Sequence, residues 1–358
     1  MPETGAADRS RSSARRPGRR DPVLRTGVVL LGALILIAAL GPLVYTVDPN
    51  AQLDAAAARW QPPGSSFAAI HLADGRWLLA ERVERTASGL RASRLGAEVE
   101  LSADAVTNLT PTGVADQARF PLGADRLGRD LLARLLRGAR VSLGVGLCAV
   151  ALGLGLGLLV GGLAGGLGGW VDAVLMRTVD ALLCFPQLVL VLALAALLGP
   201  RLTLAVVVLG ATCWMPIARL VRAEIVALDS REFVLAARAL GQSRLRVLAR
   251  HLLPNALTPA LVAAALLVGD LILGEAALSF LGLGVQPPTA SWGAMIAESR
   301  DALPAVWWGA VLPGGALALT VIACNLVADG LRDAWDPRRA RRDRPADATA
   351  SDVAAATA

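Results

Sequence analysis

Six apolar stretches, each about long enough to cross a bilayer and nearly free of charge, constrain this chain more than any other feature of its sequence. They run over residues 26–47, 141–171, 180–198, 202–222, 257–281 and 306–326. About 20 residues of helix span the hydrocarbon core, and helices satisfy their own backbone polar groups there. The expected fold is an all-α polytopic membrane protein with six transmembrane helices. The first block is too long, and ends too far from a small-x-small site, to be a cleaved signal peptide.

Arginine sets the expected orientation. Arg9, Arg11, Arg15, Arg16, Arg19, Arg20 and Arg25 precede the first span, and Arg338, Arg339, Arg341, Arg342 and Arg344 follow the last. Basic residues beside spans mark the cytoplasmic side, so both tails, 1–25 and 332–358, are placed there. An apolar block follows the N-terminal tail at once, so the tail reads as a membrane flank and not as a nucleic-acid arm. Trp170 and Trp335 on one side, with Trp292, Trp307 and Trp308 on the other, are expected at the two interfaces.

Composition then removes whole classes of chemistry. All 35 basic residues are arginine. Without lysine no Walker A loop can form, so any ATP hydrolysis belongs to another chain. His71 and His251 are the only histidines, so no H-E-x-x-H zinc site exists. Cys148, Cys184, Cys213 and Cys324 lie inside apolar stretches without metal-ligand spacing and read as small buried hydrophobes. No metal site is expected.

Between the first two spans, residues 48–120 are polar and irregular. Asp74-Gly75, Ser88-Gly89 and Leu95-Gly96 punctuate half-apolar runs, which is a hairpin signal. A small β-rich extracytoplasmic insert is expected over 69–110. Residues 121–140, with leucines among Arg134, Arg137 and Arg140, predict an amphipathic helix along the interface. Gly153, Gly157, Gly161, Gly165 and Gly169 fall four apart, which lines glycines on one helix face and lets a second backbone approach.

The segment 224–255 is far too long for a simple connection. Asp229 is placed to cap a short helix, with Glu232 reaching back. Phe233, Ala236, Ala237 and Leu240 then fall at i, i+3, i+4 and i+7, and Gly241 ends the helix. A second helical stretch, 243–252, leads through Leu253-Pro254-Asn255 into the next span. From pattern alone the short helix either docks into a partner's groove or lies on the membrane surface.

Charges inside spans need partners or water. Arg177 and Asp180 stand i, i+3 and are expected to pair. Asp270 and Glu275 lie in the 257–281 span, where an acid costs about 2.5–3.5 kcal/mol. They are candidates for a translocation path or gate, with Ser279 and Phe280 beside them. An intramembrane protease is not indicated, since neither histidine lies in a span beside a serine.

Ala236-Ala237-x-x-x-Gly241 followed by Leu253-Pro254 resembles the EAA loop of ABC importer permeases. The flanking text is similar to the dipeptide, oligopeptide and nickel branch: Pro121-Leu-Gly-Ala-Asp-x-x-Gly-Arg-Asp130, residues 138–144, Met176-Arg177-x-x-Asp180 with Phe185-Pro186, residues 275–288, Ser291-Trp-Gly293, and Asn325 with residues 329–333. The resemblance covers the first span and then nearly everything from 120 to 337. It implies a type I importer permease core over 141–331 and a non-catalytic half-channel without a cofactor of its own. ATP and Mg would be held by partner ATPase subunits, a paralogous permease would complete the path, and an extracytoplasmic solute-binding protein would deliver di- or oligopeptides. It also implies that Glu232, Phe233, Ala236, Ala237, Leu240, Gly241, Leu253 and Pro254 couple the membrane part to the ATPase in a prokaryotic inner membrane. Two departures stand out: Leu235 replaces the usual motif glutamate, and the 69–110 insert exceeds the family's short outside loop. The alternative in another class is a proton-coupled secondary transporter using Asp270 and Glu275, which would require internal repeats across the spans.

Overall fold

A computed structural model describes residues 22–111 and 113–335. The arginine-rich flanks, Arg9 to Arg20 and Arg338 to Arg344, lie outside the described residues. Helix α1 is Pro22–Val44. A short α2 (Ala55–Ala58) opens the insert, followed by β1 (Ser65–His71), β2 (Trp77–Ala80), β3 (Arg82–Thr86), β4 (Gly89–Arg94), β5 (Ala97–Ser102), β6 (Leu109–Thr110), β7 (Gly113–Val114) and β8 (Asp116–Phe120). The remaining helices are α3 (Leu131–Leu167), α4 (Gly169–Leu183), α5 (Gln187–Leu198), α6 (Leu202–Asp229), α7 (Glu232–Ala239), α8 (Arg244–Val247), α9 (Leu253–Phe280), α10 (Trp292–Ser299) and α11 (Trp308–Trp335).

Among the described residues, five helical segments are long and apolar enough to cross a membrane: α1, α3, α6, the run from α8 through α9, and α11. The sixth expected span, 180–198, falls on a pair of helices, α4 and α5, that together are long and apolar enough to make a sixth, broken span and are bent by 88°. Pro186 explains the break. A proline cannot donate its backbone N–H and forces the preceding residue out of helical geometry.

The insert is β-rich, as its turn chemistry predicts, but its strands extend over Ser65–Phe120. Strands order β2-β1-β8 in one sheet and β3-β4-β5 in another, with β6-β7 as a separate pair. Asp74-Gly75 and Leu95-Gly96 sit in hairpin turns, and Ser88 ends the β3–β4 turn with Gly89 opening β4. At Leu95-Gly96 both residues take positive φ, 52° and 77°, the geometry a two-residue hairpin requires. Asp54 ties the insert together. Its buried carboxylate accepts from the Ala57 N–H at 3.2 Å, the Leu79 N–H at 3.1 Å and Arg94 Nη2 at 2.8 Å. Burial opposes ionisation, yet these donors hold the carboxyl below its ordinary value.

No separate interfacial helix forms over 121–140. Residues 121–130 are a loop, and the 37-residue α3 begins at Leu131, N-capped by Asp130, whose Oδ1 accepts from the Ala133 N–H at 2.7 Å. Of the arginines that suggest an interfacial helix, Arg137 is exposed, but Arg134 and Arg140 turn to the protein interior. Arg129 and Arg134 are buried and bridge Asp125 to Glu298 on α10, at 2.6 Å for Arg129–Asp125 and 2.9 Å for Arg129–Glu298. Arg140 Nε donates to the Ala38 carbonyl of α1 at 2.7 Å.

The glycine register has a clear geometric use. A Cβ at Gly157 would stand 2.6 Å from Ile217 Cγ2 and one at Gly165 3.0 Å from Ile225 Cβ, while Cβ atoms at Gly153 and Gly161 would collide with Cys213 Sγ and the Ala218 carbonyl. Four of the five glycines therefore seat α6 directly on α3. Gly169 does not belong to this seam, for it lies at the α3–α4 break with φ +58°. Arg177 and Asp180 do not pair either: Asp180 pairs with Arg219 of α6, and Asp172 with Arg222 at 2.5 Å. Trp292 and Trp308 are buried, and the Trp292 indole N–H donates to the Leu135 carbonyl at 3.2 Å, so these two are core residues and not belt residues.

Gly161→Leu is expected to separate α3 from α6, with loss of folded protein in detergent by size exclusion, while Gly155→Leu, at a position open on its outer side, is expected to be tolerated. Asp54→Ala is expected to destabilise the insert by about 3 kcal/mol, the cost of stranding a largely buried partner, seen as faster proteolysis between residues 59 and 120 of the intact chain. Because the folded carboxyl titrates low, wild-type protection is complete above the ordinary carboxylate range and falls as pH drops below it.

Candidate functional site

The segment 224–255 folds onto the ends of three long helices. Helix α6 continues to Asp229, so Asp229 remains helical and cannot cap α7. Its carboxylate instead pairs with Arg238, and Arg231 occupies the N-cap without a side-chain bond. Val234 and Ala237 are the buried residues of α7. They join Ile217, Val221 and Ile225 of α6, Val247 of α8 and Leu248, Leu252 and Ala256 beyond it in one apolar cluster. Arg244 Nη1 donates to the Leu167 carbonyl at 3.3 Å, satisfying an orphan acceptor at the end of α3.

That anchoring turns the rest of α7 outward. Phe233 is 44% exposed, Leu235 52% and Leu240 83%, with Glu232 and Ala236 also exposed. The i, i+3, i+4, i+7 set is thus divided: Ala237 faces the protein, Ala236 and Leu240 face away from it, and Phe233 is half-exposed at the edge. Val234 was missed as an anchor, although Val234 and Ala237 at i, i+3 were legible as a second apolar line. Gly241 takes φ +78° just after the helix, a backbone setting that glycine adopts without strain. An open hollow of about 890 Å³ beside α7 is lined by Ala227, Leu228, Ser230, Arg231, Glu232 and Phe233.

Residues Leu248–Leu252 form one π-helical turn between α8 and α9. Leu253 and Pro254 follow as the first residues of α9. Pro254 lacks an N–H for the Arg250 carbonyl and its ring crowds that position. The wider turn, with the Leu253 N–H on the Leu248 carbonyl, accommodates it without ending the helix. Phe233 of α7 lies against His251 in this turn, ring centroids 6.5 Å apart. The short helix and the long span are thus in direct contact.

The four candidates on α9 fall into two pairs. Glu275 and Ser279 are buried. Glu275 Oε2 accepts from Ser142 Oγ at 2.9 Å and Oε1 from Ser279 Oγ at 2.7 Å, while Ser279 Oγ accepts the Val285 N–H at 3.0 Å and Ser142 Oγ the Trp292 N–H at 3.2 Å. Ser291 caps α10 by accepting the Ala294 N–H at 3.2 Å. This polar cluster fastens α3, α9 and α10 together. Asp270 and Phe280, by contrast, are exposed on the outer side of α9.

The sequence over residues 154–341 matches the family of binding-protein-dependent transport system inner membrane components. The chain belongs to that family. It is 46% identical over 222 residues to the di/tripeptide transport system permease protein DppC of Pseudomonas aeruginosa, a match covering 62% of this chain and 73% of that protein. Two Brucella proteins named for peptide permeases are also similar. One, from Brucella suis, is 40% identical over 65% of this chain and 81% of its own length; the other, from Brucella ovis, is 44% identical over 60% and 72%. The chain is therefore a multi-pass inner-membrane permease, the non-catalytic membrane component of an ABC system whose ATPase is a separate chain. A binding protein and an ATPase are partners of such a permease. Family membership displaces proton-coupled secondary transport as the account of this chain.

A buried carboxylate held by serines gives a stability prediction. Glu275→Ala strands the Ser142 and Ser279 hydroxyls in a closed site, and is expected to cost this permease about 1–3 kcal/mol, read as a lowered thermal midpoint in detergent. Glu275→Gln retains an acceptor and is expected to cost less.

Proposed function

We propose that this permease forms half of the translocation path of an ATP-driven importer of di- or oligopeptides, and that α7 is the helix through which the ATPase drives it. The observation that carries the reading is the divided face of α7, with Val234 and Ala237 holding it to the ends of α6 and α9 while Ala236 and Leu240 are left outward and Phe233 is half-exposed at the edge. An apolar helix face of small and medium residues suits a groove on a protein partner. The similar proteins named for peptide transport support the cargo class.

In this reading a paralogous permease supplies the other half of the path. The ATPase binds ATP and Mg on the side of the 224–255 segment, where the arginine-rich tails also lie, so both termini are cytoplasmic. The 48–120 insert lies on the opposite side, where the solute-binding protein arrives. Closure of the ATPase pair pushes on α7, which passes the movement to α9 through the Phe233–His251 contact and the π turn. Glu232 and Gly241 fix the two ends of the lever. Leu235, in place of the motif glutamate, makes the contact apolar at that point.

The test is Gly241→Glu in the complete transporter. A side chain at φ +78° strains the turn by about 1–2 kcal/mol and places a charge beside Leu240. Membrane insertion is expected to persist while ATP-dependent peptide uptake into proteoliposomes falls at least tenfold. Undiminished uptake by a correctly assembled variant would overturn the role of α7.

A further inference from the structure

Asp270 is an exposed residue near the middle of a membrane-length helix. It has no hydrogen-bond or ion-pair partner among the described residues. A carboxylate facing lipid is strongly disfavoured, so its face of α9 must meet water or another molecule. Leu273, Ala277 and Phe280 follow at spacings of three, four and three, on the same side of the helix. Over this stretch an apolar cleft of about 300 Å³ opens between α9 and α10, lined by Leu273, Ala277, Phe280, Gly293 and Ile296 among others. At its far end the Arg300 guanidinium stands over the Phe280 ring, 5.8 Å from its centroid. Arg300 also touches Asp301 at 3.2 Å, but both are solvent-exposed and a guanidinium has five N–H donors.

The face thus reads acid, apolar cleft, arginine. Asp270 and Phe280 are ten residues apart, about 15 Å along a helix. An extended peptide advances about 3.3–3.6 Å per residue, so about four or five residues cover the axial rise from Asp270 to Phe280. We propose that this face of α9 is a cradle inside the path for an extended peptide with free termini, its ammonium group at Asp270, one side chain in the cleft and its carboxylate at Arg300. The inference rests on the peptide-importer reading above and adds to it the recognition of both termini and a preferred length.

The test uses the complete transporter in proteoliposomes at saturating loaded binding protein. Uptake is measured for tetra-alanine, its N-acetyl form and its C-terminal amide. Wild type is expected to import the free peptide at least tenfold faster than either blocked form. Asp270→Asn is expected to abolish discrimination against the acetylated peptide while keeping that against the amide, and Arg300→Gln to do the reverse. Unchanged ratios in both variants would overturn the cradle and leave the importer reading standing. Equal uptake of all three forms by wild type, with Asp270→Asn dissociating the permease pair, would also overturn it and assign Asp270 to the subunit interface. Absence of ATP-dependent uptake of any peptide by wild type would instead remove the importer reading itself.

Discussion

The close approach of α3 and α6 is the constraint on which the other placements depend. In a bilayer, burying apolar side chains between two helices gains little, because lipid is equally apolar, so association relies on tight packing. Gly153, Gly157, Gly161 and Gly165 remove the side chains that would hold α6 away. Helix α3 extends to about 55 Å at 1.5 Å per residue. With α6 set against it, the last turns of α6 emerge at a fixed height beside the end of α3. Helix α7 is seated there by Val234 and Ala237, and Arg244 ties the following helix to the Leu167 carbonyl.

The opposite end of α3 is fixed by a different interaction. Arg129 and Arg134 share Asp125 and Glu298, joining the loop before α3 to α10. Buried ion pairs of this kind add little over an apolar core, but losing one member strands a charge and costs several kcal/mol. That asymmetry makes the network a strong determinant of register. The Glu275–serine cluster acts in the same way between α3, α9 and α10. The polar groups of these two networks that lie inside the bundle therefore hold helices in place. Asp270 differs from them because no helix closes over it.

The sequence made some of this legible and hid the rest for identifiable reasons. Span positions could be read because an uncharged run of about 20 residues has few alternatives. The hairpins of the insert could be read because Asp74-Gly75 and Leu95-Gly96 demand turns. Periodicity over 121–140 reports that one face is polar, not what that face meets; Arg134 and Arg140 meet Glu298 and the Ala38 carbonyl. Sequence shows only the neighbours of Asp180 on its own helix, Arg177 among them, whereas its partner Arg219 lies on another. The same limitation left Asp270 and Glu275 indistinguishable, five residues apart on one helix, until the serines of α3 and α9 enclosed one of them.

The contrast between those two acids bears on how movement could cross the membrane. Helix α9 begins at the π turn beside α7 and ends at Phe280, beyond the exposed Asp270. It is fastened near its far end by Glu275, whose serine bonds reach α3 directly and α10 through the Trp292 N–H and the Ser291 cap. In the proposed coupling, a push on α7 would reach α9 at the π turn, where Leu248, Leu252 and Ala256 pack with α6 and α7 in one apolar cluster. Single π turns inside α-helices occur frequently at functional sites. The two acids thus differ in what surrounds them: Glu275 is tied to α3 and, through the Ser142–Trp292 bond, to α10, whereas Asp270, five residues earlier, stays exposed.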